Sequence, residues 1–153
     1  MNDEIKNATF PVVVLGVDVV TGYENMNLLT SCFRALIGRY EGTELIDFHG
    51  RRWSINSAVE AHRLDPFWLR VLRNASAPIR IELAATEISP ISLNALKEKV
   101  VKRLKMSSGW AVVTVKLVSE YNKTDSRLII NDVKMANSIE TIVALLCKPL
   151  EGN

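Results

Sequence analysis

Hydrophobic and polar positions change their spacing several times along this chain, and each change marks an element. Pro11 to Val20 is β-branched and almost unbroken in its apolar character. That is the pattern of a strand covered on both faces, with Gly22 as the break after it. Met26, Leu29, Phe33, Leu36, Ile37 and Tyr40 then recur at intervals of three and four, which predicts an amphipathic helix. Asn25 is its N-cap and Gly42 its stop. The stretch "LIDFHGRRWSI", Leu45 to Ile55, reads as a β-hairpin. A two-residue His49-Gly50 loop sets Ile46 opposite Trp53 and Asp47 opposite Arg52. A three-residue loop instead sets Asp47 opposite Arg51, so an Asp–Arg pairing is expected in either register. The second strand runs on through "INSAVEAHR".

Asp65-Pro66 marks a helix start, and "PFWLRVLRN" carries Phe67, Trp68, Val71 and Leu72 toward a core. "APIRIELAATEI" alternates Ile79, Ile81 and Leu83 with Arg80 and Glu82, the period of a half-buried strand. In "SPISLNALKEKVVKRLK", Ser92 is placed to cap a helix whose stripe is Leu93, Leu96, Val100, Val101 and Leu104. After a hinge at "SSG", "WAVVTVKLV" is expected as a strand, "SEYNKTDS" as a polar turn and "RLIIN" as the returning strand. "NSIETIVALLCK" is a closing helix, in which Asn137 and Glu140 resemble a capping box, Ile139, Ile142, Val143 and Leu146 face inward, and Pro149 ends the run. The order is β-α-β-β-α-β-α-β-β-α. Hairpins mixed with helices predict a single α+β domain over residues 1–153, with a mostly antiparallel sheet packed by helices on one side.

Composition narrows the function. The chain has 153 residues, 48% hydrophobic and 24% charged, a globular profile, and its formal charge is only +2. That balance does not favour a polyanion or an anionic membrane as partner. No apolar stretch approaches the roughly 18 residues that a membrane span requires. The acidic head "MNDE" is unlike the positive start of a secretory signal, so a cytoplasmic location is expected. Cys32 and Cys147 both fall in apolar patterns and are read as buried thiols in preference to a disulfide. No Cys or His spacing fits zinc, and neither a GxGxxG nor a Walker-type loop is present. No cofactor or metal is expected.

The densest chemistry is Asp47, His49, Arg51 and Arg52. Histidine titrates near neutrality and arginine forks grip phosphate, so a general acid/base or phosphate loop is conceivable. A charged hairpin whose glycine serves geometry explains the same residues. Glu60 and His62, two apart on a strand, share a face and could form an acid–base dyad, or simply a surface pair. Lys97, Lys99, Lys102, Arg103 and Lys105 suit a nucleic-acid contact or the solvated arc of an ordinary helix. Asp18, Asp47 and Glu82 lie on different strands and would meet around Mg²⁺ only in a register that the sequence does not establish. Trp53, Trp68 and Trp110 could stack bases, but core packing with a partnered indole N–H is the more usual role.

The helix end "ALIGRYEG", the hairpin "ELIDFHGRRWSI" and the late helix start "PISLNALKEKV" give the chain a layout that resembles small bacterial immunity proteins. These accompany polymorphic or contact-dependent growth-inhibition toxins. The resemblance implies a noncatalytic cytoplasmic protein that binds and neutralises a toxin domain. A mixed-charge surface suits protein contact, and a hairpin tip reaches outward, so Glu41, Glu44, Asp47, His49, Arg51 and Arg52 are the expected partner-binding residues. Two alternatives stay open. One is a small enzyme or ligand-binding domain using Asp47, His49 and Arg51 with Glu60 and His62. The other is a nucleic-acid accessory protein using the basic helix. Oligomeric state is open.

Overall fold

A computed structural model describes residues 5–17, 19–61, 78–106, 112–117, 120–124 and 126–147. For 78, 112–117, 120–124 and 126–128 it gives the course of the backbone. The strands are β1 (Val12–Leu15), β2 (Val20–Tyr23), β3 (Ser31–Phe33), β4 (Glu44–Ile46), β5 (Arg52–Glu60), β6 (Pro78–Ile88), β7 (Val112–Leu117) and β8 (Glu120–Thr124). The α-helices are α1 (Met26–Leu29), α2 (Leu93–Met106), α3 (Ser126–Met135) and α4 (Ile139–Cys147), and short 3-10 helices cover Ile5–Asn7 and Arg34–Arg39. The strands form one sheet in the order β3-β6-β5-β4-β1-β2-β7-β8. Among the described residues, only the β2–β7 pairing is parallel. The fold is therefore α+β with a mostly antiparallel sheet.

The sheet has a core on each face, which corrects the expectation of helices on one side. Val13, Leu15, Val20 and Ile46 pack under α2, α3 and α4 with Leu96, Val100, Leu104, Ile129, Val133, Ile142, Val143 and Leu146. The opposite face turns Val12, Val14, Leu45, Trp53, Ile55, Ile81 and Leu83 toward Ile5, Leu28, Leu29 and Tyr40, which come from the short helical segments and their flanks. Alternation along each strand sends successive residues to the two cores. All four residues of β1 are consequently buried, as the unbroken apolar run predicted.

That run is nevertheless two strands. The β1–β2 hairpin turns at Gly16, whose N–H donates to the Val19 carbonyl at 2.9 Å. Arg103 Nε on α2 donates to the Gly16 carbonyl at 2.6 Å and ties the turn to the helix. A run that is apolar on both faces shows no alternation break at which to see a turn. Gly22 does not end the strand. It lies inside β2, where a Cβ would stand 2.6 Å from the Leu146 carbonyl oxygen and 2.9 Å from the Cys147 Cα. Its missing side chain lets the end of α4 rest on the sheet.

The predicted helix from Met26 to Tyr40 is the largest correction. Asn25 does cap α1, accepting from the Leu28 N–H at 3.0 Å, and Gly42 does carry a positive φ of 74°. But the chain leaves the helix at Thr30, pairs Ser31–Phe33 with Arg80–Pro78 of β6 as β3, and continues as a 3-10 helix. The outer edge of β6 needs hydrogen-bond partners, and pairing with this segment supplies them. Ladder bonds outweigh a helix propensity worth only tenths of a kcal/mol per residue.

Near the C-terminal end, "SEYNKTDS" holds strand β8 in place of a turn, and "RLIIN" belongs to helix α3. Ile129 and Val133, four apart and both buried, give the helical period that five residues were too few to reveal. The cap of α4 is Ser138, not Asn137: Ser138 Oγ accepts from the Thr141 N–H at 3.1 Å. The expectations for α2 and β6 hold, including the Ser92 cap, whose Oγ accepts from the Ala95 N–H at 3.2 Å. The expected helix beginning at Asp65-Pro66, and Trp68 and Trp110, lie outside the described residues. Among the described residues, no helix is long and apolar enough to cross a membrane.

Cys32 and Cys147 are free and buried, one in each core. Burial pushes their thiols up to about 11 and about 12. Next to Cys32 in the second core, Tyr40 donates its hydroxyl hydrogen to the Leu29 carbonyl at 3.1 Å. The 3.1 Å contact between the Tyr23 and Tyr40 hydroxyls must then have Tyr23 as donor, because Tyr40 has only one hydrogen to give.

Two outcomes are expected. Gly22→Ala should lower stability by about 1–3 kcal/mol, the usual cost of overpacking, measured as a fall in the denaturant midpoint. Burial also pushes the Tyr23 phenol up to about 12, and that of Tyr40 in the same direction. An unfolded tyrosine titrates near 10, so the fold favours the neutral phenols. Their contribution is complete below about pH 10 and is lost as pH rises through the folded values. Stability should therefore fall steeply in strong alkali, and Tyr23→Phe should flatten that slope. An unchanged slope in the variant would refute the assignment.

Candidate functional site

The β4–β5 hairpin takes the three-residue loop. Leu45 faces Trp53 and Ile46 faces Arg52, which brings Asp47 opposite Arg51, with the Asp47 N–H donating to the Arg51 carbonyl at 3.0 Å. Phe48 and His49 make the turn, closed by the Gly50 N–H donating to the Asp47 carbonyl at 3.1 Å. Gly50 then adopts φ 84°, the left-handed residue that such a loop requires. A Cβ on Gly50 would also lie 2.7 Å from Ile139 Cδ1, so packing against α4 selects glycine a second time.

The opposed Asp47 and Arg51 do not pair through their side chains. The Asp47 carboxylate is fully buried and accepts main-chain N–H groups. Oδ1 accepts from His49 at 3.0 Å and Arg51 at 2.9 Å, and Oδ2 accepts from Thr9 at 3.1 Å. Aspartate suits this place because it bonds to its own backbone two residues on, as in an Asx turn. It also brings two acceptor oxygens to three donors that would otherwise be unsatisfied.

Arg51 turns toward β6 and the N-terminal segment. Its Nε and Nη2 meet Glu87 at 3.2 and 3.4 Å, and Nη1 donates to the Asn7 carbonyl at 2.9 Å. The Glu87 carboxylate holds the Arg51 pKa above its ordinary value, chiefly through the hydrogen bond. The guanidinium lies 5.0 Å from the Trp53 ring centroid, within cation–π range. Trp53 is completely buried, and its indole N–H has no hydrogen-bond partner, contrary to the expectation that it would find one. The polar hydroxyls of the second core, on Tyr23 and Tyr40, are engaged with each other and with the Leu29 carbonyl.

Arg52 faces the helix side. It donates to the Ser89 carbonyl at 3.0 Å and meets Glu44 at 3.5 Å, while Glu44 also receives Lys99 of α2 at 2.7 Å. Glu41 lies at the far end of β4 from the turn. His49 is the outward member: it is well exposed, packs edge-on to Phe48 at 5.5 Å, and has Nδ1 3.7 Å from Glu140 at the start of α4. Glu140 is held below the usual carboxylate range, first by its own backbone N–H, with Ser138 and His49 adding to the effect.

The six expected partner-binding residues thus divide. His49 stands at the tip beside Glu140, and Arg51 turns to Glu87 on the other face of the sheet. Glu44 and Arg52 form a seam with Lys99, and Glu41 stands apart. Asp47 has no surface to offer a partner, because its carboxylate shapes the loop from within. Glu87, Glu140 and Thr9 complete the site and were missed. None is near the hairpin in sequence; the register of β6 brings Glu87, the docking of α4 brings Glu140, and the N-terminal segment that crosses the hairpin brings Thr9.

The other candidate groupings come apart as well. Asp47 and Glu60 lie at opposite ends of β5, roughly 25 Å apart at the usual rise per residue. Glu60 meets Arg34 at 3.2 Å, and His62 and Asp18 lie outside the described residues. Of the basic helix, Lys97 donates to the Lys134 carbonyl, Lys99 to Glu44 and Arg103 to Gly16, leaving Lys102 and Lys105 as its most outward cations. Among the described residues, no group of three or more His, Cys, Asp or Glu side chains is placed to hold a metal ion. Comparison with protein-family models, curated proteins and solved structures returns no match to this chain.

Asp47→Asn should cost about 1–3 kcal/mol, because the amide nitrogen that replaces one oxygen sets a donor against a donor. His49→Ala should leave stability within about 0.5 kcal/mol of the parent. Denaturant titration of both variants checks the pair, and equal losses would contradict these roles.

Proposed function

We propose that this chain is a noncatalytic, cytoplasmic protein-binding module of the immunity type, which binds and neutralises a toxin domain. The observation that carries this reading is how the hairpin's charged groups are used. Asp47 is held by three backbone amides, Glu44 by Arg52 and Lys99, and Arg51 by Glu87 and Asn7. A general acid or base must reach a substrate proton, and a buried carboxylate engaged by three donors does not.

What the hairpin end turns outward is His49 beside Glu140 on one face of the sheet and Arg51 beside Glu87 on the other, so that imidazole, guanidinium and carboxylate groups alternate around it. A preorganised surface of mixed charge favours one complementary partner over wrong ones and costs little to order on binding. Two buried thiols on opposite faces of the sheet suit a reducing compartment. The layout's resemblance to immunity proteins supplies the class of partner.

The test is calorimetric titration of the chain with the domain encoded by the neighbouring reading frame. A one-to-one complex is expected. His49→Glu and Glu140→Lys should each weaken it about tenfold or more, equivalent to about 1.4 kcal/mol. Affinity unchanged by both reversals would remove the tip from the interface. Failure of the parent chain to bind, together with failure to protect cells that express the domain, would remove the toxin partner altogether.

A further inference from the structure

On its helix side the sheet is covered over β1, β2 and β4, whereas β6 leaves Ala84 and Thr86 exposed. Leu15, Glu44, Ser54 and Thr86 stand opposite one another on β1, β4, β5 and β6 and so share that face. Leu15 lies beneath the helices, Ser54 is half-buried, and Thr86 is in the open with its Oγ1 accepting from the Asn56 amide at 2.9 Å. The row runs out from under α2 onto a shelf of small, uncharged polar groups. Helix α2 is the wall of that shelf, because Lys99 reaches down from it to Glu44.

Charge along the wall is unbalanced. Arg52 and Lys99 both meet the Glu44 carboxylate, at 3.5 and 2.7 Å, and their side chains are only 20% and 33% exposed. One turn further along α2, the half-buried Arg103 gives its guanidinium to two carbonyls, Gly16 at 2.6 Å and Lys99 at 3.1 Å, and to no carboxylate among the described residues. Three partly sheltered cations thus share one carboxylate. Lys102, three residues on from Lys99 and exposed, adds a fourth cation on the same side of the helix. A sheltered cation is costly without a countercharge, so such a cluster draws a further anion.

We infer that α2 and the β5–β6 shelf form a docking groove for an acidic segment of a partner protein, whose carboxylates seat against Arg52, Lys99 and Arg103 while its backbone lies over Ser54 and Thr86. Glu44 shows the mode of binding, a carboxylate held between an ammonium and a guanidinium. A nucleic acid fits less well. Its charges repeat about every 3.4 Å along a strand, whereas this positive patch is short and is bounded by Glu98 on α2 and Glu82 on β6. The inference deepens the protein-binding reading and rests on it for the partner's being a protein. It adds that the partner is acidic where it meets this groove.

The test uses the full chain, isotope-labelled and titrated at low salt with a capped hexaglutamate peptide, followed by NMR. Saturable shifts should centre on Arg52, Ser54, Thr86, Lys99 and Arg103. Affinity should fall about fivefold or more as salt is raised from about 25 to about 200 mM, because the contacts are screened. Thr86→Glu sets a carboxylate on the shelf and should weaken the peptide about tenfold, whereas Thr86→Lys should strengthen it about threefold. Both variants should keep the parent's denaturant midpoint, since Thr86 is exposed. Absence of saturable binding, shifts centred elsewhere, or the two Thr86 variants acting alike overturns the groove. So does a hexathymidylate oligonucleotide that binds the same residues more tightly than the peptide. Any of these results leaves the hairpin tip as the toxin contact, while a chain that binds the peptide but not the neighbouring domain keeps the groove and loses the toxin reading.

Discussion

One buried carboxylate organises this molecule. Asp47 has no contact with water, yet it accepts from the backbone at Thr9, His49 and Arg51. A charge removed from water is costly unless donors surround it, and here three main-chain amides do so. The result is that the loop has one shape, and that shape aims everything around it. Arg51 is turned back over Trp53 toward Glu87 and Asn7, and His49 is left pointing out. Gly50 is brought against Ile139 of α4, and its carbonyl accepts from the Ile91 N–H at 3.0 Å.

Through this loop the two cores are joined. On the helix side, Phe48 packs into the layer beneath α2 and α4, and Gly50 seats the start of α4. On the other side, the N-terminal segment Ile5–Thr9, tied to Asp47 through the Thr9 N–H, carries Ile5 into the second core. The central strand β1 has side chains in both layers, whereas β5 and β6 commit their buried apolar residues to the second core alone. Arg80, Glu82, Ala84 and Thr86 of β6 accordingly face solvent, and Asn56, at the register shift in β5, donates its amide to Thr86 Oγ1 at 2.9 Å.

Charge in this chain is mostly structural mortar at the joints between elements. Arg103 fastens the β1–β2 turn to α2, Lys99 and Arg52 share Glu44 where α2 meets the hairpin, and Arg34 meets Glu60 near the far end of β5. Partly exposed pairs of this kind contribute little stability singly, about a kcal/mol or less. Their larger effect is on orientation, because a charged side chain satisfied in one arrangement is unsatisfied in others. This also explains why the hairpin looked like chemistry in one dimension. A sequence shows Asp, His and Arg as neighbours, but not that the carboxylate turns inward to amides while the histidine turns outward. The partner groups Glu87 and Glu140 stand far along the chain and could not be associated with the hairpin from spacing.

Local periodicity determined a good deal by itself: the burial of β1 on both faces, the alternation of β6, the stripe and cap of α2, the buried face of α4, and a glycine in the hairpin loop. Each is a matter of side-chain spacing or of a φ that only glycine adopts freely, and both are properties of a short segment. Tertiary structure decided the rest. Ser31 to Phe33 became a strand because the edge of β6 required hydrogen bonds that a helix would have kept to itself. Gly22 proved essential inside β2 because α4 descends onto it. Asp47 became an internal acceptor because Thr9, thirty-eight residues away, brings the third donor. In every such case the deciding group is distant in sequence. A backbone donor left unpaired costs more than a local conformational preference can return.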